Sequence, residues 1–390
     1  MLGKSVAARL WVWPEGRRTM TLLDPRPELW KLPRYQPGRS GEVATGVPPA
    51  LLASNENVWG PSPAAIQAVQ EAAALMHRYP DPGGEQLTAR LAERHRLDPE
   101  QILLGDGADQ LIRLLALAYV APGQTAVIPR PSFQAYSLAI TVAGGLSVPV
   151  ALTADGAVDP HRLSQAVSPV TRLVFVCTPN NPTGPAVAAA DVREMVQRMT
   201  GRPVLTVVDE AYQEFVDPLD TFTSSLALVR ANLPVVVLRT FSKAYGLAGL
   251  RIGWAAAPKP VIDALASVRE PFSVNRLALA AAEAALGDTV HLENVVNATR
   301  RARRRFLDQV ADQRLIGFES QANFVTLRGG AAGPQVAAAF EHQGVMVRAT
   351  EPFGLARHIR VTMGTDSELE RFWAAWAAVD DTLPFPRRSV

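Results

Sequence analysis

The sequence predicts an α/β fold built on a mainly parallel sheet with helices on both faces, followed by a smaller α+β domain. Three observations predict it. Four short runs, Thr125–Ile128, Leu173–Cys177, Val204–Val208 and Val235–Leu238, are apolar or β-branched throughout. A strand reads this way when both of its faces are buried. Helical stretches lie between several of these runs, and that alternation is the pattern of a parallel sheet with crossover helices. After about residue 275 the texture shifts to a long Ala-, Glu- and Arg-rich stretch and then short strands, which suits a separate α+β unit.

In chain order, residues 1–19 are basic, with two tryptophans and a proline, and their apolar part is too short and interrupted for a secretory signal. They read as a disordered extension, with Met20 as an alternative start. Residues 20–57 are rich in proline and glycine and read as an extended N-terminal arm that contributes to the small domain and to dimer contacts. The large domain is placed at 58–275. It opens with a helix over Pro63–Met76, started by Ser62 with proline in its first turn. A second helix is expected over Asp109–Tyr119, and the four apolar runs follow. The small domain is placed at 276–390. Its elements are a helical stretch from Arg276 to Val310, strands at Phe324–Leu327, Val345–Arg348 and His358–Thr362, and a terminal helix near Glu368–Val379.

Composition excludes several classes. With 48% hydrophobic and 19% charged residues, the chain of 390 residues has an ordinary globular make-up, long enough for two domains. A net charge of +2 without a basic block argues against nucleic acid and anionic membrane surfaces as partners. No apolar run approaches the roughly 18 residues of a membrane helix. Cys177 is the one cysteine, so no intrachain disulfide can form, and a cytoplasmic location is expected. The six histidines form no ligand-spaced pair, so no metal site is expected.

Four segments carry chemistry. Val207-Val208-Asp209-Glu210-Ala211-Tyr212 is an apolar run ending in an acid, and ligands of open α/β sheets sit outside the carboxyl ends of strands. By itself Asp209 reads better as a surface acid at a strand end. Arg239 to Arg251 (RTFSKAYGLAGLR) directly follows another apolar run. Its hydroxyls and Arg251 suit a phosphate dianion, and a desolvated Lys243 suits imine formation with a carbonyl. Thr178 to Gly184 (TPNNPTG) is a tight loop at a third strand end, whose composition would serve as a plain turn in any protein. Gly105 to Gln110 (GDGADQ) is a glycine loop opening a helix, where free backbone N–H groups make an anion site, although a glycine loop alone is weak evidence.

In this order and at this spacing, the four segments resemble the fold-type I, class I/II aminotransferases that use pyridoxal 5′-phosphate (PLP). The resemblance covers nearly the whole chain from about residue 30. Within that group the chain is most similar to the histidinol-phosphate aminotransferases. Tyr35-Gln36-Pro37-Gly38, Ala53 to Asn57 with Gly60 to Pro63, Arg78 to Pro82, and Gly105 to Gln110 point there. The resemblance implies a seven-stranded, mainly parallel sheet. It implies that Lys243 forms the Schiff base and moves the proton during transamination. Asp209 would hold the pyridine nitrogen protonated, Tyr212 and Asn181 would bond the phenolic oxygen, and Phe133 would stack on the ring. Thr240, Ser242, Arg251 and the backbone N–H groups of Ala108 and Asp109 would hold the phosphate. Tyr79 would reach that phosphate from the other subunit of a homodimer. Tyr35, Asn323, Arg348 and Arg360 would bind the substrates, an amino donor and 2-oxoglutarate.

The sequence departs from the family's pattern in two places. Val58-Trp59 stands where the family shows proline and then an aromatic or leucine, and Gln110 replaces a glutamate. An aromatic ring at 59 also suits phenylalanine or tyrosine as donor. Three readings therefore stand beside one another: a histidinol-phosphate aminotransferase in histidine biosynthesis, an aromatic or broad-specificity aminotransferase, and a threonine-phosphate decarboxylase. A regulator carrying a DNA-binding module is set aside, because about 30 residues before the matching region are too few for one.

Overall fold

The computed structural model describes residues 29, 32, 48–218, 222–313, 315–329 and 331–382. The expected extension at 1–19 and most of the arm at 20–57, Tyr35 included, lie outside the described residues.

The order is β1 (Ala50–Leu51), α1 (Pro63–Ala73), α2 (Glu85–His95), β2 (Ile102–Gly105), α3 (Gly107–Tyr119), β3 (Thr125–Arg130), α4 (Ala135–Val142), β4 (Leu146–Ala151), α5 (Pro160–Gln165), β5 (Thr171–Cys177), α6 (Ala189–Arg198), β6 (Leu205–Asp209), α7 (Leu226–Arg230), β7 (Val235–Thr240) and β8 (Gly253–Ala256). Then come α8 (Lys259–Val268), α9 (Arg276–Gly287), α10 (Thr289–Gln313), β9 (Phe324–Arg328), α11 (Gly333–His342), β10 (Val345–Met346), β11 (Arg348–Ala349), β12 (His358–Thr362) and α12 (Asp366–Thr382).

Seven strands form the main sheet, in the order β2-β8-β7-β6-β5-β3-β4. β8 runs antiparallel to both its neighbours, and the other six run one way. The continuous apolar runs are explained by alternation across the sheet. Val174, Val176, Val208, Val235 and Val237 face one core with α1, α2, α6 and α9. Leu173, Phe175, Val207, Val236 and Leu238 face a second core with α3, α4 and α8. With water excluded from both sides, only apolar side chains are stable at either phase of the strand.

Ser62 caps α1 as its position before Pro63 requires, its Oγ accepting from the Ala65 N–H at 3.1 Å. The helix ends at Ala73, three residues short of the expected Met76.

Past residue 275, two expectations change in detail. The stretch from Arg276 is two helices, broken at Asp288, whose φ of −89° and ψ of 72° leave the helical region. The first of them, α9, packs into the large sheet's core beside α1 and α2 through Ala278, Ala281 and Ala282. The expected strand at Val345–Arg348 is also two strands. β10 pairs with β1, whereas β11 pairs with β12 in a three-stranded antiparallel sheet, β11-β12-β9. A third core, centred on Phe306, Phe340, Phe372 and Trp376, joins these short strands to α10, α11 and α12.

Because six strands share a direction, their carboxyl ends line up along one edge. There the chain emerges into Asp106-Gly107, Pro131-Ser132-Phe133, Thr178 to Gly184, Asp209 to Tyr212 and Phe241 to Arg251. The three-stranded sheet is tied to this edge by the segment after β1, since Thr362 N–H donates to the Leu52 carbonyl at 2.9 Å.

Candidate active site

Lys243 lies three residues past β7, near Tyr212 and the segment after β1. Its Nζ donates to the Ser54 carbonyl at 3.3 Å and sits 5.8 Å from the centre of the Tyr212 ring. Burial, reinforced by the Arg360 guanidinium, pulls its ammonium down from the ordinary 10.5 to about 8. Charging a group away from water and beside another cation is costly, so the neutral, nucleophilic amine becomes accessible near neutral pH.

Asp209 ends β6 and is 4% exposed. Burial pushes its carboxyl up to about 6, against hydrogen bonds that favour the anion. Tyr136 donates its hydroxyl to Oδ2 at 2.7 Å, and the Ala211 N–H donates to Oδ1 at 3.1 Å. The result is a fixed carboxylate with no cation in contact among the described residues, which suits a protonated ring nitrogen. Cys177, its register partner on β5, is buried, and burial pushes the thiol up to about 12. It remains a protonated packing residue.

Tyr212 is buried, and its hydroxyl accepts from Asn55 Nδ2 at 3.0 Å. Burial raises its pKa, so the phenol keeps a proton to donate. Asn181 Oδ1 accepts from the Arg360 guanidinium, which leaves its amide N–H₂ as the end free to meet a ligand oxygen. Phe133 is half-buried and meets Tyr136 edge-on, with ring centres 5.8 Å apart.

The anion cradle assembles from strands distant in sequence but adjacent in the sheet. Gly253 of β8 pairs with both Gly105 of β2 and Thr240 of β7. Gly107 opens α3 at φ +70°, and no side chain caps this N-terminus, so the N–H groups of Ala108 and Asp109 have no capping acceptor. A Cβ at Gly107 would come within 2.5 Å of the Arg251 guanidinium, and one at Gly253 within 3.0 Å of the Ala108 nitrogen. Both glycines thus keep the cradle open for a group larger than a side chain could leave room for. Arg251, itself at φ +57°, bonds Asp109 at 3.0 Å, and Thr240 Oγ1 accepts from the Ser242 N–H at 3.0 Å. Gln110, the glutamate replacement, is buried and locks this loop. It accepts from the Asp106 N–H and donates to Glu270, both at 2.7 Å.

On the other side of Lys243, Arg348 and Arg360 are directly opposed partners of β11 and β12. Both are buried, and both guanidinium carbons lie 5.7 Å from the centre of the Phe353 ring. The two guanidiniums are thus brought to one face of the sheet, an arrangement that suits an anion. Asn323 donates to the Asn55 carbonyl at 3.1 Å, and its Oδ1 is buried without a hydrogen-bond partner.

Of the residues singled out in the sequence, Lys243, Tyr212, Asn181, Arg360 and Asn323 are linked through these contacts, Asp209 lies three residues before Tyr212 at the end of β6, and the cradle residues form an adjoining group. Tyr79 stands apart. It is 78% exposed and stacks on Phe272 with ring centres 4.5 Å apart. Sequence reasoning missed Asn55 and Tyr136, which orient Tyr212 and Asp209. Asn55 carries a weak signal, since asparagine tolerates the φ of +54° that the segment adopts there. Tyr136 carries none, because its partner is 73 residues away.

Comparison with known proteins gives a consistent family. The description "Aminotransferase class I and II" matches residues 48–375. A histidinol-phosphate aminotransferase of Symbiobacterium thermophilum is 42% identical over 84% of this chain and 89% of its own. An aromatic amino acid aminotransferase of Mycobacteroides abscessus is also 42% identical, over 89% of this chain and 96% of its own. The crystal structure of histidinol-phosphate aminotransferase from Sinorhizobium meliloti in complex with pyridoxal-5′-phosphate superposes with a TM-score of 0.83. It is 29% identical and covers 93% of this chain and 99% of that one.

Proposed function

The chain belongs to the class I and II aminotransferases, and on that footing we propose that it uses pyridoxal 5′-phosphate to move an amino group between histidinol phosphate and 2-oxoglutarate. The cofactor supplies an electron sink that takes up the electron pair left when the substrate Cα–H bond breaks. Lys243 holds the cofactor covalently between turnovers and, once released, carries the proton from Cα. Asp209 keeps a proton on the ring nitrogen by charge complementarity, while Tyr136 and the Ala211 N–H fix the carboxylate's orientation. Tyr212 and Asn181 donate to the ring's phenolic oxygen, and Phe133 covers one face. Arg251, Thr240, Ser242 and the N–H groups of Ala108 and Asp109 hold the phosphate.

The substrate reading rests on the opposed pair Arg348 and Arg360. Two buried guanidiniums on one face suit a phosphate dianion, or the two carboxylates of 2-oxoglutarate, better than a single carboxylate. Asn323 completes this part of the site. Phe353, wedged beside both arginines, and Trp59, packed near Tyr212, favour a second reading in which an aromatic amino acid is the donor. The two are separated by the half-reaction with histidinol phosphate or phenylalanine, followed by loss of the visible cofactor band. Arg348→Ala is expected to lower kcat/KM for histidinol phosphate by roughly 10- to 100-fold, the value of one charge-assisted hydrogen-bonding group, and to spare phenylalanine. Equal losses for both donors, or conversion by phenylalanine alone in the wild type, would reassign the substrate.

The lowered Lys243 ammonium gives a pH prediction. Capture of pyridoxal 5′-phosphate by the cofactor-free protein is expected to accelerate as pH rises, with a midpoint near 8 rather than near 10.5. The folded pKa is depressed, so this residue's contribution to stability is present above 10.5 and is lost as pH falls through about 8. Stopped-flow absorbance across pH 6 to 11 checks the capture rate (about five units bracket both values), and a capture midpoint near 10.5 would contradict the buried environment.

The enzyme is further proposed to be a homodimer in which Tyr79 completes the partner's phosphate site. Exposure of Ile66, Met76 and Tyr79 along the face of α1 and the segment that follows it supports this. A division into a large unit and a small unit carrying Arg348 and Arg360 would let the substrate arginines close over the cofactor. No helix among the described residues is long and apolar enough to cross a membrane, and a cytoplasmic setting accords with a biosynthetic role.

A further inference from the structure

Remote from the residues assigned above, a cleft of about 480 Å³ opens between the end of α2 and α7. Arg94, His95 and Arg96 line it from the end of α2, Thr223, Ser224 and Arg230 from α7 and the residues before it, and Arg239 from β7. None of these residues belongs to the cofactor or substrate site. Arg239 lies on the same face of β7 as Val235 and Val237, which serve the core beneath α2. It is already matched by Glu210 at 2.9 Å and Glu214 at 2.8 Å. Arg94 and Arg230 are anchored through a single nitrogen each, to the Leu286 carbonyl at 3.1 Å and the His95 carbonyl at 3.0 Å. Each retains further N–H groups to donate. Among the described residues no carboxylate lines the cleft, and Glu210, which accepts from the Ser224 hydroxyl at 2.7 Å behind it, is held by Arg239 at 2.9 Å.

The local field is positive enough to act on a neighbouring ring. Burial, with Arg239, Arg94 and Arg230 in turn, pulls the His95 imidazolium down to about 4. His95 therefore stays neutral at physiological pH, packed against Trp254 with ring centres 5.0 Å apart. It adds a polar wall and no charge.

We propose that this cleft is a second binding site, for a small polyanion bearing phosphate groups, gripped by Arg94, Arg96 and Arg230 with the hydroxyl of Thr223, the Ser224 hydroxyl being already donated to Glu210 at 2.7 Å. The volume falls within the range of small-molecule sites and exceeds what a lone phosphate fills. Guanidiniums that converge from two helices match the several acceptor faces of tetrahedral phosphates, whereas one planar carboxylate engages one fork. The inference is independent of which amino donor the enzyme uses.

The test is calorimetric titration of the holoenzyme with pyrophosphate, and with citrate as the carboxylate counterpart. In the wild type, saturable pyrophosphate binding is expected, tighter than that of citrate. In the double variant R94A/R230A, this binding should weaken by about tenfold or more, the loss of at least one charge-assisted contact. Basal transaminase turnover and circular dichroism should be retained. Arg348→Ala should leave this isotherm in place, which separates it from anion binding at the substrate site. Unchanged pyrophosphate affinity in R94A/R230A, or absence of saturable binding in the wild type, would overturn the proposal. Binding of citrate as tight as that of pyrophosphate would overturn its phosphate chemistry. If R94A/R230A misfolds, Arg230→Gln, which keeps an amide donor and removes the charge, is expected to weaken binding by itself, and unchanged binding there would count against the site.

Discussion

Lys243→Ala is expected to abolish transamination and the visible cofactor band together. The variant should purify colourless or release its cofactor on gel filtration, and turnover should fall by at least about 10⁴-fold, since a covalent anchor and a proton carrier are lost in one change. Among the described residues the other lysine, Lys259, is on α8 and paired with Asp263 at 3.0 Å. Lys243 is the residue whose Nζ is held beside Ser54 and Tyr212 and whose ammonium is destabilised by burial and by Arg360. Folding should survive, because removal of a buried, partly desolvated amine relieves a cost instead of creating one. A variant that kept both the band and turnover would remove the basis of the proposed chemistry. Rescue of slow turnover by added small amines, without return of the covalent band, would separate the residue's proton transfer from its anchoring.

Asp209→Ala is the second large effect, and its signature differs. The cofactor should still attach through Lys243, so colour is retained, but turnover should fall by about 10³-fold, the scale of losing one preorganised electrostatic partner in a buried site. Removing the carboxylate leaves the ring nitrogen with no fixed counter-charge. It also leaves the Tyr136 hydroxyl, now facing an apolar side chain, without its acceptor. Tyr136→Phe isolates the second effect. It retains the charge but frees the carboxylate, and a loss of about tenfold is expected from one missing hydrogen bond. If Asp209→Ala and Tyr136→Phe cost the same, orientation rather than charge would be the function of this pair. If Asp209→Ala were harmless, the ring nitrogen would have another partner.

Much of this was legible in the chain itself, for reasons that can be named. The strand positions were readable because a sheet covered on both faces demands apolar side chains at both phases, and Val235 to Leu238 obeys that without exception. Three of the four motif segments were readable because each sits immediately after such a run. A strand's end is a sequence feature, and in a parallel sheet all ends share one edge. The strands that were missed show the limits of the same logic. β4 is half-exposed at the sheet's edge, with Pro149 inside it. β8 is only four residues of mixed size, with a glycine. β2 is four residues bounded by a turn. β2 and β8 are too short to announce a period, and the proline and partial exposure of β4 blur its pattern.

Sequence by itself pointed to Lys243, Asp209 and Tyr212, each within three residues of a strand end, and to Arg251, farther along the segment after β7, as the candidate carriers of the chemistry. Only the tertiary structure decided what surrounds them. It brought Gly105, Thr240 and Gly253 side by side through an antiparallel strand that the sequence did not reveal, and so made one cradle out of three loops. It set Arg348 opposite Arg360 by splitting an expected strand between two sheets. It placed Asn55 and Tyr136 against the groups they orient, and gathered Arg94, Arg96 and Arg230 at one cleft. The physical reason is range. Burial pattern and strand ends are written locally, in side chains a few positions apart. Pairing across a sheet, and the field inside a cleft, come from residues tens to hundreds of positions apart, which only the packed chain brings within hydrogen-bonding distance.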